Sequence, residues 1–174
     1  MLFRSPAKLW IGLKNSDDAG LPIDLRVEVL VNGVVAASAQ QTNLPTGSSG
    51  FGNAQLQTLA LALTNGSVDV PPGAQLSVRP SVRRTCGPVN GHNAGVVRLW
   101  YNGAAVDDGA SRDAGTRFSA TIGAGTTSYF ARLGSVLDDV AGTTRSSADV
   151  LVQSTAACPS RPFNPLGTWT MTVP

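Results

Sequence analysis

The chain contains one histidine, His92, within the turn-rich stretch Cys86-Gly87-Pro88-Val89-Asn90-Gly91-His92-Asn93. It is the one imidazole that could serve as general base in a Ser-His-Asp arrangement, which needs nucleophile, base and orienting acid in hydrogen-bond reach. Serines are plentiful, but no Gly-x-Ser-x-Gly elbow occurs. A histidine in such a loop reads as exposed or locally bonded. Glycoside hydrolysis needs two carboxylates facing each other across a cleft. Glu28 is the only glutamate, it alternates outward on a regular strand, and nothing marks a pair of aspartates in its place. On these grounds the chain is read as a non-enzyme.

Three Asp-Asp pairs are present: Asp17-Asp18, Asp107-Asp108 and Asp138-Asp139. Calcium takes clustered carboxylate and carbonyl oxygens on loops. Asn15, Asp17 and Asp18 sit in such a loop, Asn15-Ser16-Asp17-Asp18-Ala19-Gly20, between two predicted strands, and they form the candidate Ca2+ site. None of the pairs matches the EF-hand spacing. The competing reading is turn chemistry, in which the aspartates bond their own backbone. Otherwise no cofactor is expected. Two cysteines and one histidine make no tetrahedral zinc site without carboxylates. Cys86 and Cys158, an even count in a chain read as secreted, suggest one disulfide across about 70 residues; two free thiols are the alternative.

The aromatic residues carry the most specific signal. Trp169 shares the inward parity of the last strand. Trp10 instead alternates with Leu9 and Ile11, and Trp100 shares parity with Arg98 against Val97, Leu99 and Tyr101. Two tryptophans are therefore expected on outward sheet faces, with Trp10, Trp100 and Arg98 as candidate ligand-binding residues. Exposed aromatic platforms stack sugar rings in many carbohydrate-binding β-sandwiches, and Trp, Tyr and Arg are enriched at protein interfaces. The alternatives are loops covering the outer strands, or Arg98 or Lys8 stacking on an indole as a structural cation–π pair. Arg26, Arg79, Arg83, Arg98 and Arg117 all take outward parity. Gathered on one sheet, they would suit an acidic polysaccharide; otherwise they decorate a solvated face.

The elements that must hold these residues are strands. Ile23, Leu25, Val27, Val29 and Val31 alternate with Asp24, Arg26 and Glu28; Asn32-Gly33 follows, then Val34-Val35-Ala36-Ala37. This is a half-buried strand entering a hairpin through a type I′ turn. Leu9, Ile11 and Leu13 alternate in the same way. So do Leu59, Leu61 and Leu63, with Leu56 out of register and a bulge expected near Gln57-Thr58. Leu76, Val78, Pro80 and Val82 share a face, Pro80 implying an edge or a break. Val97, Leu99 and Tyr101 run into a second turn at Asn102-Gly103. Phe118, Ala120 and Ile122 form another inward set, and Trp169, Met171 and Val173 close the chain against outward Thr168, Thr170 and Thr172. Residues 42–53 and 141–147 read as long loops, and Gly134 to Asp139 as one helical turn. Nine or ten strands with no sustained helical period imply an all-β, two-sheet antiparallel sandwich, jelly-roll-like, in one domain over residues 1–174.

Composition agrees with this. At 174 residues the chain can bury a substantial core without metals. Hydrophobic content is 42%, whereas charged residues are only 14%, well below the roughly 25% of an average soluble protein, so the surface must be Ser, Thr, Asn, Gln and Gly. Net charge is +2, too weak to predict nucleic-acid binding, and no apolar run approaches a membrane span. Lysine occurs only at Lys8 and Lys14. No long apolar leader opens the chain, so a secreted reading expects a leader removed or a domain cut from a longer chain.

Leu9-Trp10-Ile11-Gly12-Leu13-Lys14-Asn15-Ser16-Asp17-Asp18 with Asp24-Leu25-Arg26, Cys86, Gly91-His92-Asn93 and Gly167-Thr168-Trp169 resembles uncharacterised β-sandwich segments of large secreted bacterial proteins. The tail Leu166-Gly167-Thr168-Trp169-Thr170-Met171 is similar to the last strand of jelly-roll domains appended to secreted proteases. These resemblances imply fold and no activity. The resulting expectation is a non-catalytic, secreted or cell-surface binding or adhesion module, with carbohydrate as ligand. The alternative is a structural protein whose copies assemble into an extracellular fibre, surface layer or shell, because lysine and glutamate, which normally guard edge strands, are scarce.

Overall fold

The computed structural model describes residues 2–86, 94–101, 117–121, 128–132, 146–153 and 161–173. They form twelve strands and two short 3-10 turns, arranged as two antiparallel sheets that face each other across a common core. One sheet contains β1 (Leu2–Leu13), β4 (Gln55–Leu59), β7 (Ala94–Tyr101), β8 (Arg117–Thr121), β9 (Ser128–Arg132) and β10 (Ser146–Gln153). The other contains β2 (Ile23–Val31), β3 (Val34–Leu44), β5 (Ala62–Leu63), β6 (Gln75–Arg84), β11 (Asn164–Pro165) and β12 (Trp169–Thr172). The chain passes repeatedly from one sheet to the other, as the all-β sandwich reading requires.

The first sheet is organised by β1, which is long enough to serve several neighbours. Lys8 opposes both Thr58 and Arg117, and Trp10 opposes both Leu56 and Trp100. A strand has two edges, so β4 occupies one while β7 and β8 share the other end to end. In the second sheet β6 pairs with β2 along its length and with β12 and β11 on its far edge. The alternating apolar residues meet between the sheets: Leu9, Ile11 and Leu13 of β1, and Val97 and Leu99 of β7, pack with Leu25, Val27 and Val29 of β2 and Val82 of β6. Removing such surface from water is the main stabilisation, about 25 cal/mol per Å².

The Asn32-Gly33 turn forms as expected, with positive φ at both residues, 49° and 81°. The Asn32 side-chain oxygen accepts the Gln75 N–H at 2.8 Å, tying the turn to β6. Two irregularities interrupt the β2–β3 ladder, one between Val29 and Leu30 and one between Ile23 and Leu25. The first buries Ala36 and Ala37 together. The second places Asn43, at φ 56°, beside Asp24.

Several expectations need correction. No bulge occurs near Gln57-Thr58, because β4 pairs with β1 in unbroken register. Leu56 is out of phase because it faces outward beside Trp10. Gln57 takes the inward position, is buried, and donates to the Pro45 carbonyl. The Leu59-Leu61-Leu63 alternation crosses between sheets, from β4 to β5. Pro80 neither breaks β6 nor lies on an unpaired edge. Its carbonyl accepts Leu166 N–H, so its donor-less nitrogen faces the gap between β11 and β12, where no ladder bond is lost. Residues 42–44 extend β3, which shortens the expected long loop. The Asn102-Gly103 turn, Ile122, the Gly134 to Asp139 turn and residues 141–145 lie outside the described residues.

Candidate functional site

Trp10 and Trp100 stand directly opposite each other on β1 and β7, on the outward face of their sheet. The expected exposure does not follow from that placement: Trp10 is only 6% exposed and Trp100 is half-buried. Leu56 lies beside Trp10 on β4. Ser48 and Ala54 approach the same face at Gly12, 3.4 and 3.6 Å from where a Cβ on that residue would stand. A Cβ placed on Gly12 would stand 3.3 Å from Trp100 Nε1 and 3.4 Å from the Ser48 carbonyl oxygen, so a side chain there would press on the indole while glycine does not. The outer face thus carries a small aromatic layer with its own cover.

Arg98 belongs to this layer. Its guanidinium lies 5.2 Å from the Trp100 ring centroid and grips Asp149 of β10 with two hydrogen bonds, 2.6 and 2.7 Å. Lys14 approaches the same carboxylate at 3.8 Å. The hydrogen bond from Arg98 holds the Asp149 carboxyl below the usual carboxylate range and raises Arg98 in turn, against the opposing cost of burial. Leu151, two residues along β10, is 53% exposed.

Asp17 and Asp18 lie in the 3-10 turn Ser16–Asp18 with Asn15 as its N-cap. Asp18 is engaged: its Oδ2 accepts Val96 N–H at 3.1 Å and Asn15 Nδ2 at 3.5 Å. Gly95 permits this approach, since a Cβ there would meet Asp18 Cγ at 2.9 Å. Asp17 is exposed. No group of three or more His, Cys, Asp or Glu poised for a metal occurs among the described residues. What the geometry gives Asp18 is a structural task, pinning the β1–β2 turn onto β7.

The outward arginines divide between the sheets. Arg26, Arg79 and Arg83 lie on the β2–β6 sheet, Arg98 and Arg117 on the other. The first three belong to a ladder set by the β2–β6 register: Arg79 pairs with Glu28 at 2.9 Å and Arg83 with Asp24 at 2.8 Å, while Arg26 bonds Gln40. Arg26 and Arg83 also place their guanidiniums 4.0 and 4.5 Å from the centroid of Phe163.

At the end of this ladder a cleft of about 200 Å³ opens between the β10 edge of one sheet and the β6–β11 edge of the other. Arg83, Arg84 and Arg161 line it, with Gln153, Asn164 and Leu151 around them. Arg84 follows Val82 on the inward parity of β6 and is only 1% exposed. Its Nη1 donates to the Thr85 carbonyl at 2.8 Å, and Arg161 Nη1 donates to the same carbonyl and to that of Arg84, both at 3.1 Å. Arg83 Nη1 donates to the Arg161 carbonyl at 3.2 Å. Burial, and then the neighbouring Arg161 charge, push the Arg84 guanidinium below the ordinary arginine range. Neither Arg84 nor Arg161 belongs to the set of outward arginines that strand parity singles out. The available signal was a charged residue at a buried parity, directly after Leu76, Val78, Pro80 and Val82.

Cys86 carries no free thiol, while Cys158 lies outside the described residues, as do His92 and the Asp107-Asp108 and Asp138-Asp139 pairs. No helix among the described residues is long and apolar enough to cross a membrane. No family profile, no curated protein and no solved structure matches this chain.

Proposed function

We propose that this protein is a non-catalytic, extracellular binding module that recognises carbohydrate through the cleft between the β10 and β6–β11 edges. The observation that carries the reading is the make-up of that cleft. It is concave, about 200 Å³, and lined by side chains that offer fixed hydrogen-bond donors and amides. Arg83 is held by Asp24 and by the Phe163 ring, and Arg161 by backbone carbonyls. Sites that orient a polar ligand are built from such few convergent groups on a rigid scaffold. A charge-poor surface of Ser, Thr, Asn and Gln is in keeping with an extracellular setting. The test is a panel of neutral and acidic oligosaccharides titrated into the protein. Binding is expected, with chemical-shift changes at Gln153, Arg161 and Asn164, and it should vanish when Asn164→Trp fills the cleft. A panel with no binder rejects the reading.

A second reading, assembly of the chain into an extracellular fibre, surface layer or shell, draws on a different observation. No charged side chain occurs between Glu28 and Asp69, a stretch that includes β3 and β5 at one edge of their sheet. Charge on edge strands is a common guard against pairing between molecules. Light scattering separates the two: a mass near 17.9 kDa leaves the binding module, and a large defined assembly favours the structural protein.

A further inference from the structure

We propose that Asn65 is a site of spontaneous covalent modification: its side-chain amide cyclises onto the Gly66 nitrogen and hydrolyses to aspartate and isoaspartate, which writes a carboxylate into the turn after β5. This is independent of the carbohydrate reading.

The sequence holds four Asn-Gly pairs, opening at Asn32, Asn65, Asn90 and Asn102. Asn-Gly is the dipeptide most open to this reaction, because glycine has no Cβ to hinder its nitrogen and tolerates the backbone angles of ring closure. Water is the one co-reactant. The Gly66 amide nitrogen attacks Asn65 Cγ and forms an N–Cγ bond. The Cγ–Nδ2 bond breaks, and the proton of the attacking nitrogen leaves with Nδ2 as ammonia. Water then opens the resulting succinimide at one of its two carbonyls. One opening gives aspartate. The other gives isoaspartate, in which the backbone runs through the side-chain carbons.

Two of the four pairs lie among the described residues, and the fold treats them differently. Asn32-Gly33 is clamped in the hairpin turn. Val31 and Val34 pair across it, the Asn32 N–H donates to the Gln75 carbonyl at 2.8 Å, and Asn32 Oδ1 accepts the Gln75 N–H at 2.8 Å. Its side chain must leave β6 before Cγ can meet the Gly33 nitrogen. Asn65-Gly66 has backbone anchors on either side and none on the reacting groups. Thr64 donates to the Ala36 carbonyl from its N–H at 3.0 Å and from its hydroxyl at 2.8 Å, and the Ser67 N–H donates to the Asn65 carbonyl at 2.7 Å. Among the described residues, neither the Asn65 side chain nor the Gly66 N–H enters a hydrogen bond. Both residues are exposed, and a Cβ on Gly66 would have nothing within 4 Å. The amide therefore has open space in which to swing onto the nitrogen.

The product changes the local electrostatics. Asn65 lies between Glu28 and Asp69, a stretch with no charged side chain, and follows β5 at one edge of its sheet. Conversion lowers the formal net charge of +2 by one and sets a carboxylate beside that edge, where charge discourages pairing between molecules.

The experiment incubates the intact folded protein at physiological temperature and mildly alkaline pH. Acidic species are separated by ion exchange and assigned by peptide mapping and by labelling with an isoaspartyl methyltransferase. Asn65 should convert roughly ten-fold or more faster than Asn32, the order of protection that a broken hydrogen-bonded contact represents. In urea-unfolded protein the two rates should converge, which makes the difference a property of the fold. Gly66→Ala should slow conversion at Asn65 in folded and unfolded protein alike, so that arm does not depend on the variant folding. Equal rates at Asn32 and Asn65 in the folded protein, an Asn65 that stays intact while other positions convert, or a rate at Asn65 indifferent to Gly66→Ala would each overturn the proposal.

Discussion

Replacing Asp24 tests the connection between register, buried charge and the cleft. Asp24, the second residue of β2, stands opposite Arg83 of β6, and its side chain is only 2% exposed against 16% for Arg83. It accepts three hydrogen bonds, from Arg83, from the Thr85 hydroxyl and from the Asn43 backbone. Removing one partner of a buried ion pair costs roughly 3–5 kcal/mol, because the remaining charge stays behind uncompensated. Here Arg83 retains some solvent access and its bond to the Arg161 carbonyl, so Asp24→Ala belongs at the lower end, about 3 kcal/mol. Asp24→Asn keeps an acceptor for Thr85 and Asn43 but turns an amide donor toward Arg83 Nε, for about 2 kcal/mol on the cost of an unsatisfied buried donor. At 174 residues, where 1 kcal/mol moves Tm by roughly 2–4 °C, Asp24→Ala should melt about 6–12 °C lower. The assay is urea and thermal unfolding followed by circular dichroism, with Arg83→Met and the double variant completing a cycle. The double variant should be less damaged than the sum of the singles, since it leaves no orphaned charge. An Asp24→Ala protein within 1 kcal/mol of the parent, or strictly additive singles, would refute the buried-pair account.

Four further outcomes follow from the same geometry. Trp10→Ala should cost about 3–5 kcal/mol in unfolding free energy, the range for emptying a large buried aromatic position; an exposed platform residue would cost well under 1 kcal/mol. Gly47→Ala should destabilise far more than Gly33→Ala: both have positive φ, 70° and 81°, but a Cβ at Gly47 would collide with the Asn53 carbonyl oxygen while Gly33 has nothing within 4 Å, and paired melts decide it. The Asp149 carboxyl is depressed in the folded protein, so its contribution is present above the unfolded carboxylate range and is lost as pH falls through the folded value; Asp149→Asn should flatten the acid side of the stability profile, and an unchanged profile would disprove that role. Cys86 paired with Cys158 would leave no thiol for alkylation before reduction, and reduction would remove up to roughly 4 kcal/mol in the chain-entropy treatment of a loop of about 70 residues; labelling of both cysteines in the untreated protein would dismiss the pairing.

Much of the fold was legible in the chain itself. The alternation at Ile23 to Val31, the Asn32-Gly33 turn, and the inward sets on β1, β6 and β12 each follow from a period of two and the backbone needs of a hairpin. Leu56 shows where this logic fails. Its misfit to the Leu59-Leu61-Leu63 set invites a bulge, yet the irregularity lies in which sheet the chain serves, since β4 and β5 belong to different ones. Pro80 is similar, because its tolerance depends on where β11 and β12 leave a gap on the far edge of β6.

The candidate site divides along the same line. Parity assigned Trp10, Trp100 and Arg98 to an outward face, and the β1–β7 register placed the two indoles opposite one another. It carried no information about Ser48 and Ala54, which approach that face at Gly12, nor about the burial that leaves Trp10 only 6% exposed. Arg84 could have been noticed as a charge on an apolar parity. Its meeting with Arg161 could not, because 77 positions separate the two, and only the pairing of β11 with β6 sets Arg161 at the same strand end. Alternation is a property of neighbours along one strand and sets the side on which a residue points. What lies on that side is set by contacts between distant segments, and these exist only once the two sheets have packed.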